Sequence, residues 1–336
     1  MVLAALAIPA PAARAQSLLV VNGTADPSQG NILQYDPATG NPIGGGPLIS
    51  AGSGGLDAPT ALAIGPDGNL YVANGFDSSV LEYNTQGAFL GVFVPGGAGG
   101  LQGPTSLTFG PDGNLYVASS ATSSVLEYSG TTGSFIQTLV PSGAGGLMTP
   151  AGMTFSNGDL FVASQGNNQV LEYIASTGMF LGAFVPSNAG GLSTPTGLAF
   201  GPDGNLYVAS QGSDSILSFD GNTGNFLGTF VAGGTGGLSA PAALTFESDG
   251  TLLVASGSGG ILGYDGSGSF LGVLVPSGSG GLDMPLGLVV TTAVPEPGSF
   301  LLAVIALATA GIARGISGSV DVVRRSTSAS RPRIQV

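Results

Sequence analysis

The chain contains no histidine, no cysteine, no tryptophan and no lysine. Each absence removes a chemistry. Without imidazole, no side chain has an ordinary pKa suited to shuttling protons near neutral pH, so a serine nucleophile lacks its usual base. Without cysteine there is no thiolate nucleophile, and with histidine also missing, nitrogen and sulfur metal sites are excluded. Oxygen ligands remain, in the form of carboxylates, amides and carbonyls suited to calcium or magnesium.

Positive charge is equally scarce. The six basic residues are Arg14, Arg314, Arg324, Arg325, Arg331 and Arg333, whereas 17 of the 19 acids lie between residues 16 and 293, where there is no cation. That body repels nucleic acid and anionic lipid, so no nucleic-acid partner is expected.

What the chain has in abundance is glycine, and the glycines are periodic. Gly-Gly-Leu occurs six times, ending at Leu56, Leu101, Leu147, Leu192, Leu238 and Leu282, with intervals of 45, 46, 45, 46 and 44 residues. Gly-Pro-Asp-Gly-Asn-Leu-Tyr-Val-Ala recurs letter for letter from Gly65, Gly110 and Gly201. A duplicated unit of this length points to a solenoid or a propeller. The apolar runs within it are short, rich in β-branched and aromatic residues, and bounded by Gly, Pro, Asn, Asp and Ser, which is strand-and-turn patterning without helix. In the second unit, strands are expected over 59–65, 69–74, 79–84 and 88–94. Four strands in ~45 residues make one propeller blade.

The ends of the array set the blade count. Residues 18–22 and 32–36 match the second and third strands of a blade, 41–50 stand where the fourth belongs, and 285–291 supply the missing first strand. The expected fold is therefore all-β, a six-bladed propeller over 16–293 closed by N-terminal and C-terminal strands. In the hairpin Pro66-Asp67-Gly68-Asn69, Asp and Gly are expected to take the positive backbone angles. Phe89, Phe135, Phe180, Phe226 and Phe270 share one slot on the fourth strand and are expected in the core.

The unit resembles the NHL-type repeat of six-bladed propellers, through its Pro, its apolar strand, Asp-Gly-Asn and Tyr-Val-Ala. The resemblance implies the fold and leaves function open, because the family includes binding modules, lactonases and lyases. The lyases rely on histidine, which is missing. The lactonases hold a divalent metal at the channel mouth with Glu, Asp and Asn, whereas the innermost strands here carry no carboxylate except Glu247 at one end. The charged slots of relatives are replaced by Asn74, Ser119, Ser164, Ser210 and Ser256, and by Val80, Val125, Val170, Ile216 and Ile261.

Two sets of residues are candidates for binding. Asp57 and Asp283 follow Gly-Gly-Leu at the junctions flanking the closure blade, and Asp26 and Asp77 fall on neighbouring loops, so these four are the candidate calcium ligands. Asn22, Asn74, Ser119, Ser164, Ser210 and Ser256 form a hydroxyl and amide ring that could contact a sugar-like or peptide ligand, or satisfy backbone groups at strand ends. No catalytic residue and no required cofactor are expected.

Both tails read as addresses. A short apolar run and Ala13-Arg14-Ala15 before Gln16 look like the end of a secretory signal over 1–15, truncated at its start and cleaved between Ala15 and Gln16. Val294-Pro295-Glu296-Pro297, an apolar stretch over 300–313 and later arginines resemble the PEP-CTERM sorting signal of Gram-negative bacteria. That resemblance implies an exosortase as partner, a C-terminal hydrophobic helix that anchors the chain in a membrane over 294–325 before processing, a disordered tail over 326–336, and delivery to the cell surface or an exopolysaccharide matrix. The apolar stretch rises only ~21 Å as a helix, against a hydrocarbon core of ~30 Å. Two function classes follow: a non-enzymatic surface or matrix protein contacting polysaccharide or another matrix protein, and a calcium-dependent hydrolase of the gluconolactonase-like type.

Overall fold

The structure is a computed structural model that describes residues 16–291. The signal segment, the sorting motif Val294, Pro295, Glu296 and Pro297, the expected C-terminal helix and the tail lie outside the described residues. Among the described residues no helix is long and apolar enough to cross a membrane.

Six antiparallel sheets follow one another along the chain. Blade 2 shows the plan, with strands Pro59–Ile64, Leu70–Asn74, Ser79–Tyr83 and Phe89–Val94 running from the axis outward. Every residue of Leu70–Asn74 is buried, because alternate side chains of a strand point to opposite faces and both faces are covered. Leu70 and Val72 pack with blade 1, while Tyr71 and Ala73 pack with blade 3. The hydrophobic core is thus six separate clusters, one in each gap between neighbouring blades.

Closure follows the expected strand exchange. Strand Leu18–Gly23 lies between Asn31–Tyr35 and Met284–Val290, with Leu18 opposite Val290 and Val20 opposite Leu288. Beyond them the Ser17 amide donates to the Thr291 hydroxyl, and the Thr291 amide donates back to the Ser17 carbonyl, each at 2.8 Å. The sixth cluster joins Leu18, Val20 and Tyr35 to Leu253, Ile261 and Val275 of blade 6, so the ring has no open gap.

Gly-Gly-Leu explains its own recurrence. Its leucine is buried in an inter-blade cluster, as with Leu101 at 0% exposure, which stabilises the fold by about 1.5–3 kcal/mol. Its glycines form a single 3-10 turn, the only kind of helix among the described residues. Gly99 has φ 62°, and a Cβ there would lie 2.1 Å from a ring carbon of Phe135. Only glycine combines that backbone angle with that approach.

Three expectations need correction. The phenylalanine slot is not core: Phe89, Phe135, Phe180, Phe226 and Phe270 are 39–42% exposed. They sit on the outermost strand, where one face has no further blade to cover it, and each lies against an aromatic ring of the third strand, as Phe89 does with Tyr83 at 5.5 Å. In the 66–69 hairpin only Gly68 takes a positive φ, of 84°. Asp67 works through its carboxylate, which accepts the Asn69 amide at 3.1 Å. Blade 4, with Asn157-Gly158, is the hairpin in which both central residues are left-handed, at φ 52° and 91°, as a two-residue turn of matching twist requires.

The third correction concerns blade 1, whose sheet has three strands. Residues 41–50 make only two isolated bridges, Tyr35 with Pro42 and Ile32 with Ile49. Gly44-Gly45-Gly46-Pro47 separates those bridges, and glycine and proline both disfavour a strand interior.

Candidate functional site

In a propeller, loops from second to third strands and from fourth strands to the next blade emerge on one face. All the candidate ring and calcium residues are on those loops or at the strand ends beneath them. The ring Asn22, Asn74, Ser119, Ser164, Ser210 and Ser256 is 0% exposed at every position. Each side chain accepts the backbone N–H of the residue that follows Gly-Gly-Leu. Asn74 takes Asp57 at 2.7 Å and Asn22 takes Asp283 at 2.8 Å. Ser119 takes Gln102 at 2.9 Å, Ser164 takes Met148 at 3.0 Å, Ser210 takes Ser193 at 3.0 Å and Ser256 takes Ser239 at 3.2 Å. The two asparagines also donate to the carbonyls of Gly55 and Gly281 at 3.1 Å. Of the two roles open to this ring, the geometry matches the satisfying of backbone groups at strand ends. A buried polar atom must be paired, and these pair with the loop that enters each blade.

The four aspartates are spread among different local jobs. Asp77 accepts from the Asn74 amide at 2.7 Å and from the Ser79 hydroxyl at 2.6 Å. Asp26 caps a 3-10 turn by accepting from the amide and hydroxyl of Ser28 at 3.2 and 2.8 Å. Asp57 and Asp283 are tied down through their backbone amides. Among the described residues no three of His, Cys, Asp and Glu are grouped so as to hold a metal ion.

The axis contains a cavity of about 350 Å³ lined by the innermost strands, with Leu62, Leu107 and Met153 among its walls and Gln165 and Gln211 reaching in from loops of blades 4 and 5. No carboxylate lines it. Three threonines on those strands spend their hydroxyls on the next blade, Thr60 donating to the Pro104 carbonyl at 2.7 Å, Thr105 to Pro150 at 2.7 Å and Thr196 to Pro241 at 2.8 Å. The corresponding positions in blades 4, 6 and 1 are Ala151, Ala242 and Leu286, which have no hydroxyl to give. The two glutamines are functional-site candidates that the repeat alone did not single out, although their slot holds Gly75, Ser120 and Gly257 in other blades.

Carboxylates gather instead on the opposite face, in the hairpins. The Asn69 amide donates to both Asp67 and Glu82 at 2.8 Å, and the Tyr71 phenol donates to Asp67 at 3.0 Å and to Glu82 at 3.3 Å. Blade 3 repeats this with Asn114, Asp112, Glu127 and Tyr116. Burial, and then the adjacent carboxylates, push both tyrosines far above their usual range. In blade 4 Phe161 replaces the tyrosine, and Glu172 is pushed up by burial and by Asp159. These groups brace the turns.

No family model matches the chain, and no curated protein matches it. Solved structures do. A chain from the crystal structure of a nidogen/laminin complex is similar over 83% of this chain and 99% of its own length, at 13% identity and a TM-score of 0.66. A protein of unknown function from Bacteroides caccae is similar over 82% of this chain and 98% of its own, at 17% identity and a TM-score of 0.59. At such identities the likeness concerns the fold, and together with the six closed sheets it establishes an all-β, six-bladed propeller.

Proposed function

We propose that the chain is an exported, non-enzymatic binding or scaffold protein of the cell surface or extracellular matrix, sorted through Val294-Pro295-Glu296-Pro297. The observation that carries this reading is the use made of the polar side chains on the loop face. The slot ring and three of the channel threonines are spent on latching backbone, blade after blade. An active site on a ring requires some blades to depart from the others at reacting positions, with nucleophile, base and orienting group within reach. The acid-free axis supports a display surface over a reaction chamber. Polysaccharide or another matrix protein is the ligand class, and an exosortase is the processing partner.

The test is a glycan array screen of the full chain with and without calcium, paired with a lactone hydrolysis assay and cell fractionation. Saturable glycan binding without turnover, together with recovery at the surface, is the expected result. Lactone turnover abolished by a chelator, or retention in the cytoplasm, overturns the proposal.

A further inference from the structure

The axial cavity has two unlike sides. The slot that follows the latch ring holds Gly257, Gly23 and Gly75 in the contiguous blades 6, 1 and 2, and Ser120, Gln165 and Gln211 in blades 3, 4 and 5. Only the two glutamines reach the cavity from that slot. On the innermost strands, the cavity position of Ala61 is Ala or Gly in every blade except blade 3, which has Ser106.

These three departures from the repeat share a property. Gln165 uses both backbone groups, donating to the Thr149 carbonyl at 3.2 Å and accepting from the Asn168 amide at 3.4 Å, and Gln211 does the same with Thr194 at 3.2 Å and Asp214 at 3.3 Å. Their side chains therefore extend from a pinned base. Neither carboxamide, nor the Ser106 hydroxyl, has a hydrogen-bond partner among the described residues. Unlike the threonines, which are spent on the next blade, these groups are free. The opposite side of the cavity offers Ala242, Leu286 and Thr60, whose hydroxyl is already given to Pro104. A few convergent polar groups against an otherwise apolar wall is the composition of a small-molecule site.

We propose that this cavity binds the terminal residue of a neutral glycan, with the Gln165 and Gln211 carboxamides and the Ser106 hydroxyl hydrogen-bonding its hydroxyl groups. The proposal gives a place and a ligand class to the glycan reading above and rests on it. Each carboxamide offers two donors and one acceptor oxygen, which matches sugar hydroxyls, since each of these both donates and accepts. The C–H face of the ring meets the apolar side. Charge excludes the uronic acids: no arginine lines the cavity, so a carboxylate there has no counter-ion to offset its desolvation, and the 17 acids of the body repel it. Strands of all six blades wall the cavity, so a chain enters by its end rather than by its middle.

The probes are the methyl glycosides of glucose, galactose and mannose, with methyl glucuronide as the charged counterpart, titrated into the full chain at low and high salt. At least one neutral glycoside is expected to saturate a single site with an affinity that salt leaves unchanged, and methyl glucuronide to bind at least about tenfold more weakly. Gln165→Ser and Gln211→Ser install the residue type that blade 3 carries as Ser120, so both variants should melt with the parent, and each should weaken binding about fivefold, as for one lost neutral hydrogen bond. In the unmodified chain, the side-chain amide resonances of both glutamines should shift as the glycoside is added. Binding that both variants leave intact, unmoved glutamine amides, or equal affinity for the glucuronide overturns the cavity proposal and leaves a glycan-binding surface elsewhere on the chain in place. Failure of all three neutral glycosides to bind overturns it too. Silence across the whole glycan array removes the reading on which it rests.

Discussion

The side-chain carbonyl of Asn74 accepts the backbone N–H of Asp57 at 2.7 Å, while its amide donates to the carbonyl of Gly55 at 3.1 Å. One buried side chain thus holds both flanks of Leu56, the residue that plugs the gap between blades 1 and 2. Asn74→Ala leaves two backbone groups unpaired and is expected to cost about 1–3 kcal/mol. Asn74→Ser restores the contact that serine makes in blades 3 to 6, and should lie clearly closer to the parent. Chemical denaturation of the two variants checks the order. Equal losses would remove the latch.

Five of the six third strands end in a tyrosine whose hydroxyl reaches the entering loop, and blade 5 has Phe219 instead. Phe219→Tyr should reach the Ala189 carbonyl and add about 0.5–1.5 kcal/mol, the net worth of one such bond. A rise in denaturation midpoint with unchanged slope is the expected reading.

Leu101 is fully buried between blades 2 and 3. Leu101→Ala removes apolar area and leaves a cavity walled by two sheets that cannot collapse onto it, at a cost of about 2–5 kcal/mol. Exposed Leu90, on an outer strand, is the control, and Leu90→Ala should change stability far less. Thermal melts of the pair decide it.

Glu172 is held above the ordinary glutamate range by burial and by Asp159. A carboxyl whose pKa is raised on folding favours the folded state below its unfolded value, and loses that contribution as pH rises through the folded value. Glu172→Gln is therefore expected to stabilise the protein at neutral pH, with the difference shrinking as pH falls toward the unfolded glutamate value of about 4.3. Asp265 has the opposite sign. The hydroxyl of Ser267 and the amides of Ser269 and Ser267 lower its pKa, so its contribution is present at neutral pH and is lost as pH falls through the folded value. Melting temperature against pH for the two variants Glu172→Gln and Asp265→Asn checks both signs.

The repeat made the fold legible because each blade is specified locally. Turn residues such as Gly68 and strand runs such as Leu-Tyr-Val-Ala carry their own backbone preferences, and the offset ends announce a shared blade. The candidate site was less legible. Asn22 and Ser119 present the same polar groups whether they face a ligand or a backbone amide, and nothing in a strand's own sequence distinguishes the two.

The amino-acid sequence by itself determined six blades, their strand order, the closure by both ends of the body and the exclusion of imidazole and thiol chemistry, because these follow from residue type and short-range patterning. Tertiary structure decided which polar atoms are spent, why Phe89 is half exposed while Leu101 is buried, and that residues 41–50 make two isolated bridges in place of a fourth strand. The physical reason is that burial and hydrogen-bond partners come from the neighbouring blade and the entering loop, at separations of 16 to 274 residues, where a strand's own pattern carries no information.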